Sequence, residues 1–180
     1  MGGDEQALWY VMRDLKRANA REKAYGLLDD LQFEVFTPMQ WKLVTCQGKR
    51  IRKKIPVISD LLFVHAIRSR LDPIVENQPT LQYRYVRGGK YCDPMIVAES
   101  DMERFIRAVR SSDSPHYYLP EEITPSMYGR RIRIVGGPLD GCEGSLVTAR
   151  GSRVRRLLVE LPTLLAVSVE VSPEYIQLVK

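Results

Sequence analysis

Two groups of cationic side chains are the residues of this sequence best suited to chemistry. The first is a run at residues 49–54 in which five of six residues are cations, namely Lys49, Arg50, Arg52, Lys53 and Lys54. Such a run attracts phosphates, whereas stacking or base readout would need added partners. A solvated hairpin face would give the same composition. A nucleic-acid contact is therefore one of two open interpretations.

The second group lies between residues 130 and 156 and contains arginines without any lysine. Arginine makes bidentate contacts with phosphate, which favours RNA as the ligand, while solubility is the alternative explanation. The candidate nucleic-acid contacts are Arg131, Arg133, Arg153 and Arg155. The same group also includes Arg130, Arg150 and Arg156.

Residues suited to catalysis or metal binding form no recognisable pattern. The cysteines are Cys46, Cys92 and Cys142, the histidines are His65 and His116, and no Cys-x-x-Cys pair occurs. A structural zinc site takes four closely spaced ligands. Phosphate loops, Rossmann fingerprints and nucleophile elbows are also absent from the sequence. We therefore expect a protein without catalytic residues, metal or cofactor, whose thiols are reduced packing residues.

The first 110 residues alternate between strand and helix patterns, which predicts an α+β domain. Strands are predicted at residues 8–12, 33–36, 41–43, 49–54, 61–64 and 82–86. Helices are predicted at residues 20–31, from Asp72-Pro73 onward, and after a capping box at residues 100–103. The strand at 61–64 is fully apolar and is therefore expected at the centre of its sheet. Gln47-Gly48 predicts the turn of a hairpin that carries the basic run.

Residues 111–125 contain three prolines and three serines without apolar periodicity, which predicts a linker. The net charge is negative in this segment and positive on either side of it. Residues 1–110 carry 19 bases and 14 acids, residues 111–125 carry three acids and no Lys or Arg, and residues 126–180 carry eight bases and five acids. Two basic domains, 1–110 and 126–180, are therefore predicted on either side of an acidic joint.

Downstream of the linker the helical period disappears. Short strands are predicted at residues 131–135, 146–147, 157–159, 167–171 and 176–179. Five strands joined by glycine turns in about 55 residues predict a small SH3-like five-stranded β-barrel. The strong β alternation argues against a helical alternative state of this domain.

The most specific segment of the chain spans residues 129–147, a strand, a Gly-Pro turn and a second strand. Its marker residues are Gly129, Gly137, Pro138, Gly141 and Gly144. Any small barrel needs some of these glycines, but that does not explain the whole pattern. The segment resembles a KOW motif, although Leu139 stands where that family has an aromatic residue. KOW motifs imply a role in transcription or translation.

The first half carries a second resemblance. Residues 9–11 and 56–64, the order Val86-Arg87-x-Gly89, and the later Pro94 resemble the NGN domain of the NusG family. Nearly the whole chain is therefore similar to that family: an NGN α/β sandwich, a linker and a KOW barrel. Ile58, Ser59 and Leu61 depart from the family's Phe, Pro and Tyr. With these departures the chain resembles the specialised paralogues RfaH and UpxY. UpxY factors serve polysaccharide operons.

The resemblance implies a transcription elongation and antitermination factor whose NGN domain binds the clamp helices of RNA polymerase. It implies that an apolar concavity holds the tip of those helices and suppresses pausing and termination. The candidate contacts are Tyr10, Arg13, Ile58, Leu61 and Phe63. The same side chains could simply form the core. Strand alternation places Leu61 and Phe63 on one face of their strand.

The resemblance also implies partners for the remaining surfaces. The basic hairpin would lie beside the non-template DNA strand, and the KOW domain would bind Rho, a small-subunit ribosomal protein or nascent RNA. The apolar runs are too short to span a bilayer, and the first residues lack a secretory pattern. We expect a cytoplasmic monomer without membrane contact. The alternative is a KOW-type RNA-binding or ribosome-associated protein.

Overall fold

The computed structural model describes residues 6–17, 20–148 and 151–179. It is a mixed α and β structure with antiparallel sheets, as the α+β prediction requires. The chain divides into two compact units, residues 1–99 and residues 100–180.

The first unit contains two helices and the strands of two sheets within its described residues. Its elements are β1 (Leu8–Asp14), α1 (Ala24–Asp30), β2 (Glu34–Phe36), β3 (Met39–Cys46), β4 (Lys49–Pro56), β5 (Leu61–Ala66), α2 (Arg68–Asn77), β6 (Leu81–Tyr83) and β7 (Ile96–Val97). The larger sheet has the order β2-β5-β1-β6, and β7 also pairs with β1. The strand predicted to be central, β5, indeed lies between two others. β3 and β4 form a separate two-stranded sheet.

Antiparallel register between β1 and β5 divides their side chains between two faces. Tyr10 lies opposite Val64 and Met12 opposite Leu62, and these four residues share one hydrophobic cluster. The cluster also takes in buried residues of α1 and α2. Period-two alternation therefore works as predicted, because Leu61 and Phe63 belong to the other face.

The predicted helix start at Asp72-Pro73 is wrong. α2 begins at Arg68, so Pro73 lies inside the helix rather than in its first turn. The Asp72 carboxylate instead accepts a hydrogen bond of 2.8 Å from the Tyr83 hydroxyl and lies 3.5 Å from Arg68 Nε. These contacts hold the residue in the helix body, where they outweigh the local preference of an Asp-Pro pair for a helix start.

The second unit is dominated by strands. Helix α3 (Glu99–Arg110) leads into it from the last residue of the first unit, and the strands are β8 (His116–Tyr118), β9 (Arg131–Ile134), β10 (Glu143–Thr148), β11 (Arg155–Leu161), β12 (Leu165–Glu170) and β13 (Ile176–Leu178). They form one antiparallel sheet in the order β13-β9-β10-β11-β12-β8. Each of the five strands predicted here is present. Closure into an SH3-like barrel stays a prediction.

The segment predicted as a linker contains ordered structure. β8 pairs with β12, with Tyr117 opposite Val167, and Arg156 Nη2 donates a 3.2 Å hydrogen bond to the Ser114 carbonyl. Residues 111–125 therefore belong to the second compact unit. The functional division into residues 1–110, 111–125 and 126–180 stays a prediction.

No helix within the described ranges is both long enough and apolar enough to cross a membrane.

Candidate nucleic-acid interface

The basic run forms one strand of a two-stranded hairpin, β3–β4. Its turn is Gln47-Gly48, with φ of 49° and 76°, and positive φ at both central residues is the mark of a type I′ turn. This two-residue turn twists with the strands and fixes Cys46 opposite Lys49. The predicted hairpin is therefore confirmed, and its strands extend from Met39 to Pro56.

Register sorts the hairpin side chains onto two faces. On the first face, Trp41 lies opposite Lys54, Leu43 opposite Arg52 and Thr45 opposite Arg50. We call this the Trp41 face. On the other face, called the lysine face, Lys42 lies opposite Lys53, Val44 opposite Ile51 and Cys46 opposite Lys49.

Trp41 lies among cations on its own face. The Arg52 guanidinium carbon is 4.8 Å from the centroid of the indole ring, and Lys54 Nζ is 5.9 Å from it. A cation at this distance is attracted by the electron-rich ring face. The side chain nevertheless remains 51% exposed, and the neighbouring Leu43 is 65% exposed. The hairpin therefore presents an aromatic ring and cations together to solvent.

The hairpin's charge is not neutralised within the described part of the chain. Residues 39–56 hold six cations and no acid. All six cations are exposed, and none of them forms an ion pair with another described residue. The five cations predicted at this site thus lie on one hairpin. Trp41 and Lys42 were absent from the predicted site, although the turn's register identifies both.

The residues predicted to contact polymerase differ in accessibility. Tyr10, Leu61 and Phe63 are buried, with exposed fractions of 4%, 2% and 0%. Arg13 and Ile58 are accessible. Their role in polymerase binding stays a prediction, and these two are the ones that a partner can reach directly.

Arg13 belongs to a small charged cluster at one end of the larger sheet. Its Nε lies 3.1 Å from Asp60 Oδ2, and Arg84 Nη2 lies 3.6 Å from Asp60 Oδ1. Burial lowers the pKa of the Arg84 guanidinium, and Asp60 opposes that effect. Two guanidinium groups share one carboxylate, so the cluster keeps a positive charge. The sequence did not single out Arg84, because it joins this cluster only through the fold.

The arginines of the second unit are partly neutralised. Arg133 Nε donates a 2.8 Å hydrogen bond to Glu143 Oε1, and Arg131 Nη2 lies 3.7 Å from Glu143 Oε2. The hydrogen bond from Arg133 holds the pKa of Glu143 below its ordinary value. Two of the four predicted nucleic-acid contacts here are therefore tied to the same carboxylate.

The remaining arginines of this group have different environments. Arg156 is buried, where its Nε donates to Ser168 Oγ at 2.9 Å and its Nη1 to Glu170 Oε1 at 3.1 Å. Arg153 and Arg155 are exposed, as is Arg130. Arg150 lies outside the described residues. Arg156 thus has a structural role, and Arg153 and Arg155 remain accessible candidates for a ligand.

Two glycines of the predicted KOW segment, Gly129 and Gly144, stand where neighbouring backbone leaves no room for a side chain. A Cβ atom on Gly129 would lie 2.0 Å from the Leu146 carbonyl oxygen, and one on Gly144 would lie 2.2 Å from the Leu158 carbonyl oxygen. Both distances are far below van der Waals contact. These two glycines are therefore required for the close approach of β10 to its neighbours: Gly144 lies inside β10, and Gly129 precedes β9.

The side chain of Asp140 fixes the turn between β9 and β10. Asp140 Oδ1 accepts a 2.6 Å hydrogen bond from the Gly136 amide, and the Gly141 amide donates to the Ile134 carbonyl at 2.8 Å. Gly137 and Gly141 have positive φ, and Leu139 is buried. Arg107 of α3 donates a 2.8 Å hydrogen bond to the Asp140 carbonyl. The Gly-Pro turn is thus a tightly held part of the second unit.

Comparison with known proteins gives a likeness to solved structures and no match in sequence. No protein-family model matches the chain, and no curated protein matches it. A solved structure described as "Domain interaction in Thermotoga maritima NusG" is similar with a TM-score of 0.44 and 12% sequence identity. That match covers 97% of this chain and 98% of the other.

Proposed function

We propose that this protein is a transcription elongation and antitermination factor of the NusG type that acts by binding, without catalysis. Its first domain would bind the clamp helices of RNA polymerase and suppress pausing and termination. Its operons would be specific ones of the polysaccharide type. The second domain would meet Rho, a small-subunit ribosomal protein or nascent RNA.

The observation that carries the proposal is the backbone at the KOW-like segment. Gly129 and Gly144 each face a carbonyl oxygen at a distance that excludes any Cβ. Two of the five marker residues of the resemblance are therefore required by the backbone around them, which supports the proposal. The same chain places an alternating α and β unit before this segment, in the order that the family resemblance implies.

The uncompensated hairpin supports the same function. A factor that works beside a transcription bubble needs a cationic surface for the exposed DNA strand. The hairpin's six cations and lack of acids meet that requirement. The second unit supports the RNA-binding alternative less well, because Glu143 binds two of its candidate arginines.

Complex formation with purified core RNA polymerase tests the proposal. We expect the full chain to co-elute with polymerase in the absence of RNA and to raise read-through at a terminator in a purified transcription reaction. RNA binding without a polymerase complex would instead favour the KOW-type RNA-binding alternative and overturn the proposal.

The contact surface can be tested with residues that leave the core intact. Arg13→Glu and Ile58→Asp change accessible positions near Asp60, and each should weaken the polymerase complex roughly 10-fold because interface energy concentrates in a few residues. Leu61→Asp would instead place a charge at a buried position and unfold the unit.

Arg21→Glu is the matched control for this test, since Arg21 is an exposed arginine of the same unit outside the predicted contact set. Polymerase affinity, measured by titration, should be unchanged in that variant. Equal losses in Arg13→Glu and Arg21→Glu would show a general charge effect and remove Arg13 from the interface.

A further inference from the structure

We infer that the Trp41 face of the β3–β4 hairpin is a stacking platform for an unpaired base of single-stranded nucleic acid. The inference deepens the proposed function and rests on it for the presence of an unpaired strand near the hairpin. It adds a recognition residue, Trp41, and a preference for single strands over duplex.

The position of Trp41 has no explanation in the packing of the first unit. The residue lies on a two-stranded sheet, outside the hydrophobic cluster of that unit, and half of its surface is exposed. The other tryptophan, Trp9, is 2% exposed and stacks on His65 with ring centroids 5.0 Å apart. Trp41 and Leu43 are both exposed on this face, and a contiguous exposed apolar patch, unlike a single exposed residue, marks a binding surface.

The cations around the ring are arranged for a stacked base with its phosphates. Arg52 lies over the indole, so its guanidinium plane offers a second surface on which a base can stack. Arg50, Arg52 and Lys54 follow one another on this face at every second residue, which spaces them about 6.7 Å apart along the strand. A row of cations beside an aromatic ring is how proteins that bind single strands track the backbone.

The ring on this face favours a single strand over a duplex. In a duplex the base faces are covered by their stacked neighbours, and only an unpaired, splayed base offers its face to a side chain. A two-stranded ribbon could enter a major groove instead, using cations of both faces. In that mode Lys42 and Lys53 would contribute as much to the binding affinity as Arg52. Trp41 would find no exposed base on which to stack.

Direct binding of the full chain to oligonucleotides tests the inference without polymerase. Single-stranded DNA, single-stranded RNA and duplex DNA of one length are titrated at low salt, and intrinsic fluorescence is recorded. The chain has two tryptophans, so the exposed Trp41 gives the quenching signal and the buried Trp9 a constant background. Trp41→Phe should remove most of the quenching while keeping most of the affinity.

Paired variants separate stacking from charge. Trp41→Ala should weaken single-strand binding about 10-fold and leave duplex binding unchanged, whereas Ile51→Ala, an exposed apolar position on the lysine face, should change neither. Arg52→Gln should weaken single-strand binding more than Lys53→Gln, because the two lose the same charge on opposite faces. Circular dichroism should show that all four variants remain folded.

Three results would overturn the inference: equal losses for Trp41→Ala and Ile51→Ala, duplex binding as tight as single-strand binding, or a Trp41→Ala defect seen only in the polymerase complex. The last would make this face a protein contact. Oligonucleotide binding that depends on Trp41, in a chain that forms no polymerase complex, would sustain this inference while refuting the proposed function. The DNA and RNA arms identify which strand the platform prefers.

Discussion

The β3–β4 hairpin and the second unit use the same kind of residue in opposite ways. The hairpin holds six cations without an acid and keeps them exposed. The second unit gives Arg131 and Arg133 a common partner in Glu143 and buries Arg156 against Ser168 and Glu170. A count of basic residues, six in the hairpin and seven arginines between residues 130 and 156, would rank the two groups alike. Ion-pair partners distinguish the two surfaces. The hairpin cations are available to an anionic ligand, whereas Arg131 and Arg133 already pair with a carboxylate.

The two regions also differ in how tightly their backbones are packed. A Cβ at Gly48, in the hairpin turn, would meet nothing within 4 Å, and the glycine is required only by its φ of +76°. A Cβ at Gly144 would collide with the Leu158 carbonyl oxygen. The hairpin is open on both faces, while the second unit is closely packed. Glycine is therefore needed in the hairpin turn for its backbone conformation and in the second unit for its lack of a side chain.

Substitution of these two glycines should give the largest effect and tests the packing difference directly. Gly144→Ala should destabilise the second unit by about 3 kcal/mol, since β10 must move away from β11. Gly48→Ala should cost only about 1 kcal/mol, through the strain of positive φ. For a unit of this size the first change should lower the unfolding temperature by about 15 °C, which calorimetry of the full chain would detect.

Similar shifts in both variants would contradict the packing difference. Gly26→Ala serves as a control, since a Cβ at Gly26 would also meet nothing within 4 Å and this glycine does not have positive φ. That change, within α1, should be neutral or slightly stabilising because alanine favours a helix.

Charge removal should give the next effect. The triple variant Arg50→Gln, Arg52→Gln and Lys54→Gln should lower affinity for single-stranded DNA more than 10-fold and flatten the salt dependence by about 2 log units per log unit. Its matched control neutralises three exposed arginines of the second unit: Arg130, Arg153 and Arg155. The control should lose much less affinity, as measured by titration over a range of salt concentrations.

Equal losses in the two triple variants would show that net charge alone governs binding. The distinction between the two regions would then be wrong, and the hairpin would not be the preferred binding site for the nucleic acid. A larger loss in the control would move the nucleic-acid interface to the second unit.

Much of the hairpin could be predicted because its geometry is local. A two-residue Gln-Gly turn sets Cys46 opposite Lys49, and counting back along both strands then places Trp41 opposite Lys54. The predicted site contains the cations but not Trp41, which the register of the hairpin places on the same face as Arg50, Arg52 and Lys54. The alternation of β5 was likewise local and was correctly predicted.

The sequence could not reveal features that depend on distant partners. Glu143 lies directly opposite Arg133, but residues 135–142 separate their strands, and a loop of that length does not fix a register. Arg156 is buried and donates a hydrogen bond to Ser168 of the neighbouring strand. Asp72 lost its predicted capping role to a contact with Tyr83. In each case a tertiary contact determined the role of a side chain whose local pattern indicated another.

Release of the second unit's arginines should give the smallest effect and tests the comparison from the opposite side. In the hairpin triple variant, Glu143→Gln should raise affinity for single-stranded DNA about threefold, because Arg131 and Arg133 lose their shared partner and become available to phosphate. Glu174→Gln removes an exposed acid of the same unit and should have less effect. Acidification should act in the same direction as Glu143→Gln: the ion pairs persist above the ordinary pKa of a glutamate and are lost as pH falls through the lowered pKa of Glu143. Equal gains for the two glutamine variants would mean that total charge governs binding, and the pairing seen at Glu143 would not explain the difference between the two regions.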